Sequence, residues 1–180
     1  MSDKDSHYVD NQKFLEAMSE WKEQIKVAEE TGESKPPVSE YIGECFLLIA
    51  ERLSMRANFI NYPFREEMVG DAIENCLMYA SNFDPAKSKN PFSYFTQIIY
   101  YAFLRRIQKE KKQMYIRFKS SQVMVASGGT YSGDEVNLNL NTNVDYMNSF
   151  VQDYEDKIAK DKAKKKESIE AAAKEEDSKE

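Results

Sequence analysis

Histidine is almost missing from this chain. His7 is the only one in 180 residues, and it stands in a polar N-terminal stretch where a solvated tail residue is expected, not a general base. Cysteine is nearly as scarce. Cys45 and Cys76 lie far apart with no CxxC spacing, so they suggest neither a zinc site nor a redox pair. Both fall on apolar sides of expected helices, which predicts buried thiols in a reducing compartment. No glycine-rich phosphate loop and no nucleophile motif occurs. No apolar run is long enough to span a bilayer, and no signal-peptide core is present. Carboxylates are plentiful but scattered among lysines, as on any solvated helix face. These absences argue against an enzyme and against any metal or cofactor. They leave a binding protein, expected to be soluble and intracellular.

What is present is charge, unevenly placed. Charged residues make up 31% of the chain, the formal net charge is −6, and the hydrophobic fraction is 41%. That composition suits one modest core with loose ends. Residues 1–9 are polar and expected to be loose. From Asp10, a helix cap, apolar residues at Phe14, Leu15, Met18, Trp21, Ile25 and Ala28 recur at helical spacing to about residue 30. Gly32, Pro36 and Pro37 break the pattern. A second helix opens at Ser39 and frays near Asn58. Pro63 disfavours helix at Tyr62. A third helix covers about 64–81, with Met68, Ala72, Ile73, Cys76 and Leu77 on its apolar side. After a loop bounded by Pro85 and Pro91, a fourth runs from about 91 to 114, with proline well placed in its first turn.

The expectation is therefore an all-α fold with a compact helical domain over 10–119. Residues 120–144, rich in Ser, Gly and Asn, are expected to be a loop or weakly ordered linker. Residues 145–160 regain helical period as a short amphipathic helix. Residues 161–180 are almost wholly charge and alanine, and are expected to be a flexible, disordered tail.

The fourth helix carries the most information. At 100° per residue it divides into two stripes. Phe92, Phe95, Ile99, Ala102 and Phe103 form one, which is core. The other holds Tyr94, Gln97, Tyr101, Leu104, Arg105, Gln108 and Lys112, with Ile98 at its edge. A solvated face on an acidic protein is usually Glu and Lys; this one mixes aromatic, amide and cationic groups, and Lys109, Lys111 and Lys112 follow. Lysine and arginine meet phosphates, aromatic rings stack on unpaired bases, and glutamine can read a base edge. A partly exposed tyrosine face with basic residues complementing the helix dipole accounts for the composition equally well.

The stretch "REEMVGDAIENCLMYASNFDPAKSKNPFSYFTQIIYYAFLRRIQKEKK" resembles region 2 of bacterial RNA polymerase sigma factors. More narrowly, the chain is similar to the late-transcription sigma factors of T-even-type phages, a likeness that extends to "LIAERLSMRANF", "FVQDYEDKI" and "DNQKFLEAMSEWK". The resemblance implies a third helix that grips a coiled coil of the largest subunit of the host RNA polymerase core, through Glu67, Gly70, Asp71, Glu74 and Leu77. It implies that the fourth helix captures the unpaired non-template strand of promoter DNA. Tyr94 would stack on a flipped adenine. Tyr101, Leu104 and Arg105 would face the upstream edge of a minus-ten element. Lys109, Lys111 and Lys112 would take phosphates.

Three departures qualify the resemblance. The tryptophan pair that wedges the duplex in primary sigma factors is replaced by Gln97 and Ile98, so melting should need an A/T-rich site or a late co-activator. No helix-turn-helix for a second promoter element is seen. No aromatic follows Tyr154 and the end reads "SIEAAAKEEDSKE", where the resemblance implies a short hydrophobic and acidic motif that holds a sliding clamp; the clamp stays among the implied partners beside a late co-activator, but not through a matching tail. The implied function is a phage late-gene sigma factor in the cytoplasm of the infected bacterial host. The alternative is a polymerase-binding adaptor or co-activator without base contacts.

Overall fold

The computed structural model describes residues 8–126 and 140–177. Its architecture is all-α: helices α1 (Asn11–Thr31), α2 (Glu40–Ser54), α3 (Arg65–Tyr79), α4 (Pro91–Ala126) and α5 (Leu140–Asp177), with one 3-10 turn at Ala80–Asn82. No strand occurs among the described residues, and none of their helices is long and apolar enough to cross a membrane.

Local chemistry sets the helix ends. The Asp10 carboxylate accepts the backbone N–H groups of Gln12 and Lys13 at 2.9 and 3.2 Å, satisfying two donors that have no partner inside the helix. Gly32 ends α1 with φ of 74°, a left-handed conformation that costs glycine little. Ser39 caps α2 through its hydroxyl. The start of α4 is tied to α1: the Asn11 amide oxygen accepts from Phe92 N–H at 3.2 Å, while Asn90 accepts from Ser93 N–H at 3.0 Å.

The chain divides into two compact units, residues 1–108 and 109–180, with α4 contributing to both. The first unit has a core assembled from α1, α2, α3 and the first half of α4. Phe14, Phe46, Phe83 and Phe95 meet at its centre and are fully buried. The Phe46 and Phe95 rings lie 4.5 Å apart and those of Phe14 and Phe95 5.6 Å apart. Burying each such ring stabilises the fold by roughly 1.5–3 kcal/mol. Beyond them, Phe59 of the α2–α3 connector packs edge-on against Phe103 at 5.1 Å. The expected core stripe of α4 is in place, with Phe95, Ile99, Ala102 and Phe103 buried and Phe92 packed against them. Cys45 and Cys76 are buried free thiols, and burial pushes the Cys76 thiol up to about 12, which keeps it unreactive.

The second unit is an antiparallel pair of helices, the last turns of α4 against the first half of α5. Tyr115 stacks on Tyr154 with ring centroids 4.7 Å apart, Phe118 meets Phe150 at 5.5 Å, and Gln122 donates to Asn148 at 2.6 Å. Glu155 accepts from the Tyr115 hydroxyl at 2.9 Å and from Lys119 at 2.8 Å.

Several boundaries differ from expectation. Val9, placed in a loose leader, is buried, and Tyr8 sits edge-on to Phe92 at 5.7 Å. The fourth helix continues past 114 to Ala126, because Tyr115, Phe118 and Gln122 find partners on α5. The fifth begins at Leu140 and reaches Asp177, well beyond 145–160. Alanine, lysine and glutamate are strong helix formers even where no apolar face exists, and the described side chains of residues 159–169 are exposed. Most of the expected linker, residues 127–139, lies outside the described residues, as do 1–7 and 178–180.

Candidate nucleic-acid interface

On α4 the side chains at Tyr94, Gln97, Ile98, Tyr101, Leu104, Arg105 and Gln108 fall within about 120° of arc, opposite the buried stripe. The structure brings them together as one surface of the first unit, graded in exposure. Gln97, Arg105 and Gln108 are exposed. Tyr101 is 57% exposed, the most open aromatic residue of the helix. Its ring meets that of Tyr100 edge-on at 5.8 Å, and Tyr100 in turn leans on Phe59 at 5.6 Å. Leu104 and Ile98 are half-buried and pack against the core.

Tyr94 is less available than its neighbours. It is half-buried between Phe83 and Phe95, at 5.2 and 5.1 Å. Desolvation, with the nearby Cys76 adding a smaller push, raises its hydroxyl above the ordinary value of 10.0. One side of the ring is therefore committed to the protein. Phe83, in the turn before α4, is the residue that supports it.

Arg105 is exposed but not loose. Its guanidinium donates to the Asn75 amide oxygen of α3 at 2.6 Å. The next residue, Arg106, is turned inward and pairs with the Asp71 carboxylate at 3.2 Å. Sequence spacing could have found it: Arg106 follows Ala102 by four and Ile99 by seven residues, so it belongs to the buried stripe and not to the basic tract beside it. Asn75 carried no comparable signal.

The residues assigned to polymerase binding share a second surface. Glu67, Gly70, Asp71, Glu74 and Leu77 lie within about 120° of arc on α3, opposite Met68, Ala72 and Cys76, which are fully buried. Glu67, Gly70 and Glu74 are exposed, Leu77 is 44% exposed, and Met78 beside it 59%. Asp71 stands at the edge of this face, spending its carboxylate on Arg106. A Cβ added at Gly70 would meet nothing within 4 Å, so no neighbour inside the chain demands a glycine there.

Lys109 and Lys112 belong to the second unit and are exposed. In that unit the Lys119 charge is taken by Glu155. The two hydrogen bonds from Lys119 and Tyr115 hold the Glu155 carboxyl below its ordinary value of 4.5. The same carboxylate pushes the Tyr115 hydroxyl and the Lys119 ammonium upward. Among the described residues no group of histidine, cysteine or carboxylate side chains is arranged to hold a metal ion. No family model matches the chain, and no curated protein matches it significantly.

Proposed function

We propose that this protein is a small sigma factor of the region-2 type, serving late genes of a phage. In this reading α3 engages the host RNA polymerase core through Glu67, Gly70, Glu74 and Leu77, and the outer stripe of α4 captures the unpaired strand of an A/T-rich minus-ten-like promoter element. The observation that carries it is the α4 surface itself. An acidic protein exposes tyrosine, glutamine and arginine together on one helix whose other side is core. A base stacked on Tyr101 would contribute on the order of 1–3 kcal/mol, and the amides of Gln97 and Gln108 offer donors and acceptors to base edges. Net negative charge does not oppose this, because docking depends on the local patch.

Gly70 supports the α3 half of the reading. A glycine inside a helix costs roughly 0.5–1 kcal/mol relative to alanine, and nothing within the chain requires it. A helix from outside could use the missing Cβ for close approach, with Leu77 and Met78 as apolar anchors and Glu67 and Glu74 facing basic residues. Tyr94 takes a supporting role, since only one side of its ring is open to a base.

The test is transcription by host core polymerase with this protein on an A/T-rich late-type promoter, supplied as closed duplex and as a pre-opened bubble. Accurate initiation on both supports the reading. Initiation on the bubble alone assigns a melting deficit to Gln97 and Ile98. Tyr101→Ala and Arg105→Ala should lose open complexes while keeping core binding. If neither template fires but the protein co-elutes with core polymerase, it is an adaptor without base contacts.

A further inference from the structure

The second unit brings together two lysine-rich tracts that are distant in sequence. Residues 109–119 hold five basic side chains against one acidic, and residues 157–166 hold six against one. The contacts Tyr115–Tyr154, Phe118–Phe150 and Gln122–Asn148 set an antiparallel register. Both helices rise 1.5 Å per residue, so the same register places Lys111 and Lys112 level with Lys157 and Ile158, and Lys109 level with Lys160. Along α5, Lys157, Lys160 and Lys164 follow one another at helical spacing on a single edge. They span about 10 Å, one cation for each turn of helix.

These charges are not neutralised locally. Lys109, Lys111, Lys112, Lys157, Lys160 and Lys164 are all exposed, and among the described residues none of them forms an ion pair. Glu155 is already held by Lys119 and Tyr115. Asp153, Asp156 and Asp161 lie within about a turn of the α5 lysines, but none of them forms an ion pair with the lysines named above, so the acids dilute the positive edge without closing it. Basic side chains outnumber acidic ones on residues 109–119 and 157–166 of the two helices, so positive charge is in local excess there although the chain as a whole is acidic. The aromatic stack between them keeps the charges together at close range, where mutual repulsion would otherwise spread them.

We propose that this helical pair is a polyanion-binding site for the phosphodiester backbone of nucleic acid, sequence-independent and distinct from the aromatic stripe of the first unit. Residues 157–166 carry no aromatic and no amide side chain, so this edge suits phosphates and not base edges. Its ligand is the backbone charge itself, with affinity drawn from released counterions. Lys109, Lys111 and Lys112 are also the phosphate contacts that the sigma resemblance implies, so the α4 half rests on that reading; the α5 edge of Lys157, Lys160 and Lys164 goes beyond it and is tested without polymerase.

The experiment uses the full-length protein without polymerase. Fluorescence anisotropy measures binding to a random-sequence duplex and to a random-sequence single strand, from about 50 to 200 mM salt, where counterion release is strong. The expected result is micromolar binding at the low end that falls steeply with salt. The triple variant Lys157→Gln, Lys160→Gln, Lys164→Gln should lose about tenfold or more at low salt and flatten the logarithmic salt slope by about 2 to 3. All three positions are exposed, and an unchanged circular dichroism spectrum will show that the helices persist. Lys26→Gln, which removes one exposed cation of α1 outside both surfaces, should leave random-duplex binding intact. Preference for the duplex or for the single strand identifies which backbone the site serves. Absence of binding at 50 mM salt, or a triple variant that binds like the parent, overturns the proposal. Equal competition by polyglutamate and by DNA would also overturn it, in favour of an acidic protein partner.

Discussion

Asp71 and Glu74 are close to one helical turn apart on α3, both acidic and both placed by sequence in one binding surface, yet their carboxylates are not equivalent. Asp71 faces Arg106, whose side chain is only 17% exposed, and so neutralises a cation turned toward the core. Removing it leaves that charge poorly solvated; truncating one partner of a fully buried pair costs about 3–5 kcal/mol, and this partly exposed one should cost about 1–2 kcal/mol. Glu74 is exposed, and its replacement should change stability by less than about 0.5 kcal/mol. Asp71→Ala should therefore lower the midpoint of urea unfolding clearly, while Glu74→Lys should leave it in place and, on the proposed reading, lower affinity for core polymerase. A Glu74→Lys variant with unchanged polymerase affinity would move the interface off this face. The same contrast separates Arg105 from Arg106: adjacent in sequence, one is available to a ligand at the expense of a single bond to Asn75, and the other is structural.

At the scale of the element, α3 carries a glycine that its own fold does not need. Gly70→Ala should stabilise the protein by roughly 0.5–1 kcal/mol, by restricting the unfolded chain and improving helix propensity. It should at the same time weaken binding to core polymerase. Opposite signs in thermal melting and in affinity are the expected signature, and weaker stability with intact binding would contradict it.

The clasp between α4 and α5 gives a pH prediction. Glu155 is held below its ordinary 4.5, so its contribution is present above that value and lost as pH falls through the lower, folded-state value. Tyr115 and Lys119 are raised above 10.0 and 10.5, so their contribution is present below those values and lost as pH rises through the folded ones. Docking of α5, followed by near-ultraviolet circular dichroism of the Tyr115–Tyr154 stack, should be flat across neutral pH and fall away at both acid and alkaline ends. Glu155→Gln should remove the acid limb. Persistence of that limb in the variant would assign it to another carboxylate.

Among the described residues, each of the two units has its own hydrophobic cluster, and the two are unequal in size. The first unit's core runs from Val9 to Ile107; the second has an aromatic seam built on Phe118, Phe150, Tyr154 and the buried Val151. Phe46→Ala should cost about 3–5 kcal/mol and lower the main thermal transition. Phe150→Ala should leave that transition within a few degrees and instead reduce helical signal through loss of α5 docking. If both variants shift one common transition equally, the two clusters unfold as a single cooperative unit.

Much of this architecture was legible in the sequence, because helices declare themselves through the period of their apolar residues. Phe95, Ile99, Ala102 and Phe103 marked the buried side of α4, and its outer stripe followed from the same geometry. Asp10, Ser39 and Gly32 announced helix ends by cap chemistry. Periodicity is silent where a helix has no apolar face, as over the exposed far half of α5. Partnership between distant residues is a property of the assembled chain. Packing alone gives Arg106, whose inward side the spacing already implies, Asp71 as its partner, leans Arg105 on Asn75 and sets Phe83 against one side of Tyr94. It also decided that lysines some fifty residues apart stand at one level of a helical pair. Helix type and the faces to be buried follow from local spacing and could be read from the residues alone. Which polar groups remain open to a ligand depends on what each meets across an interface, and that only the packed structure supplies.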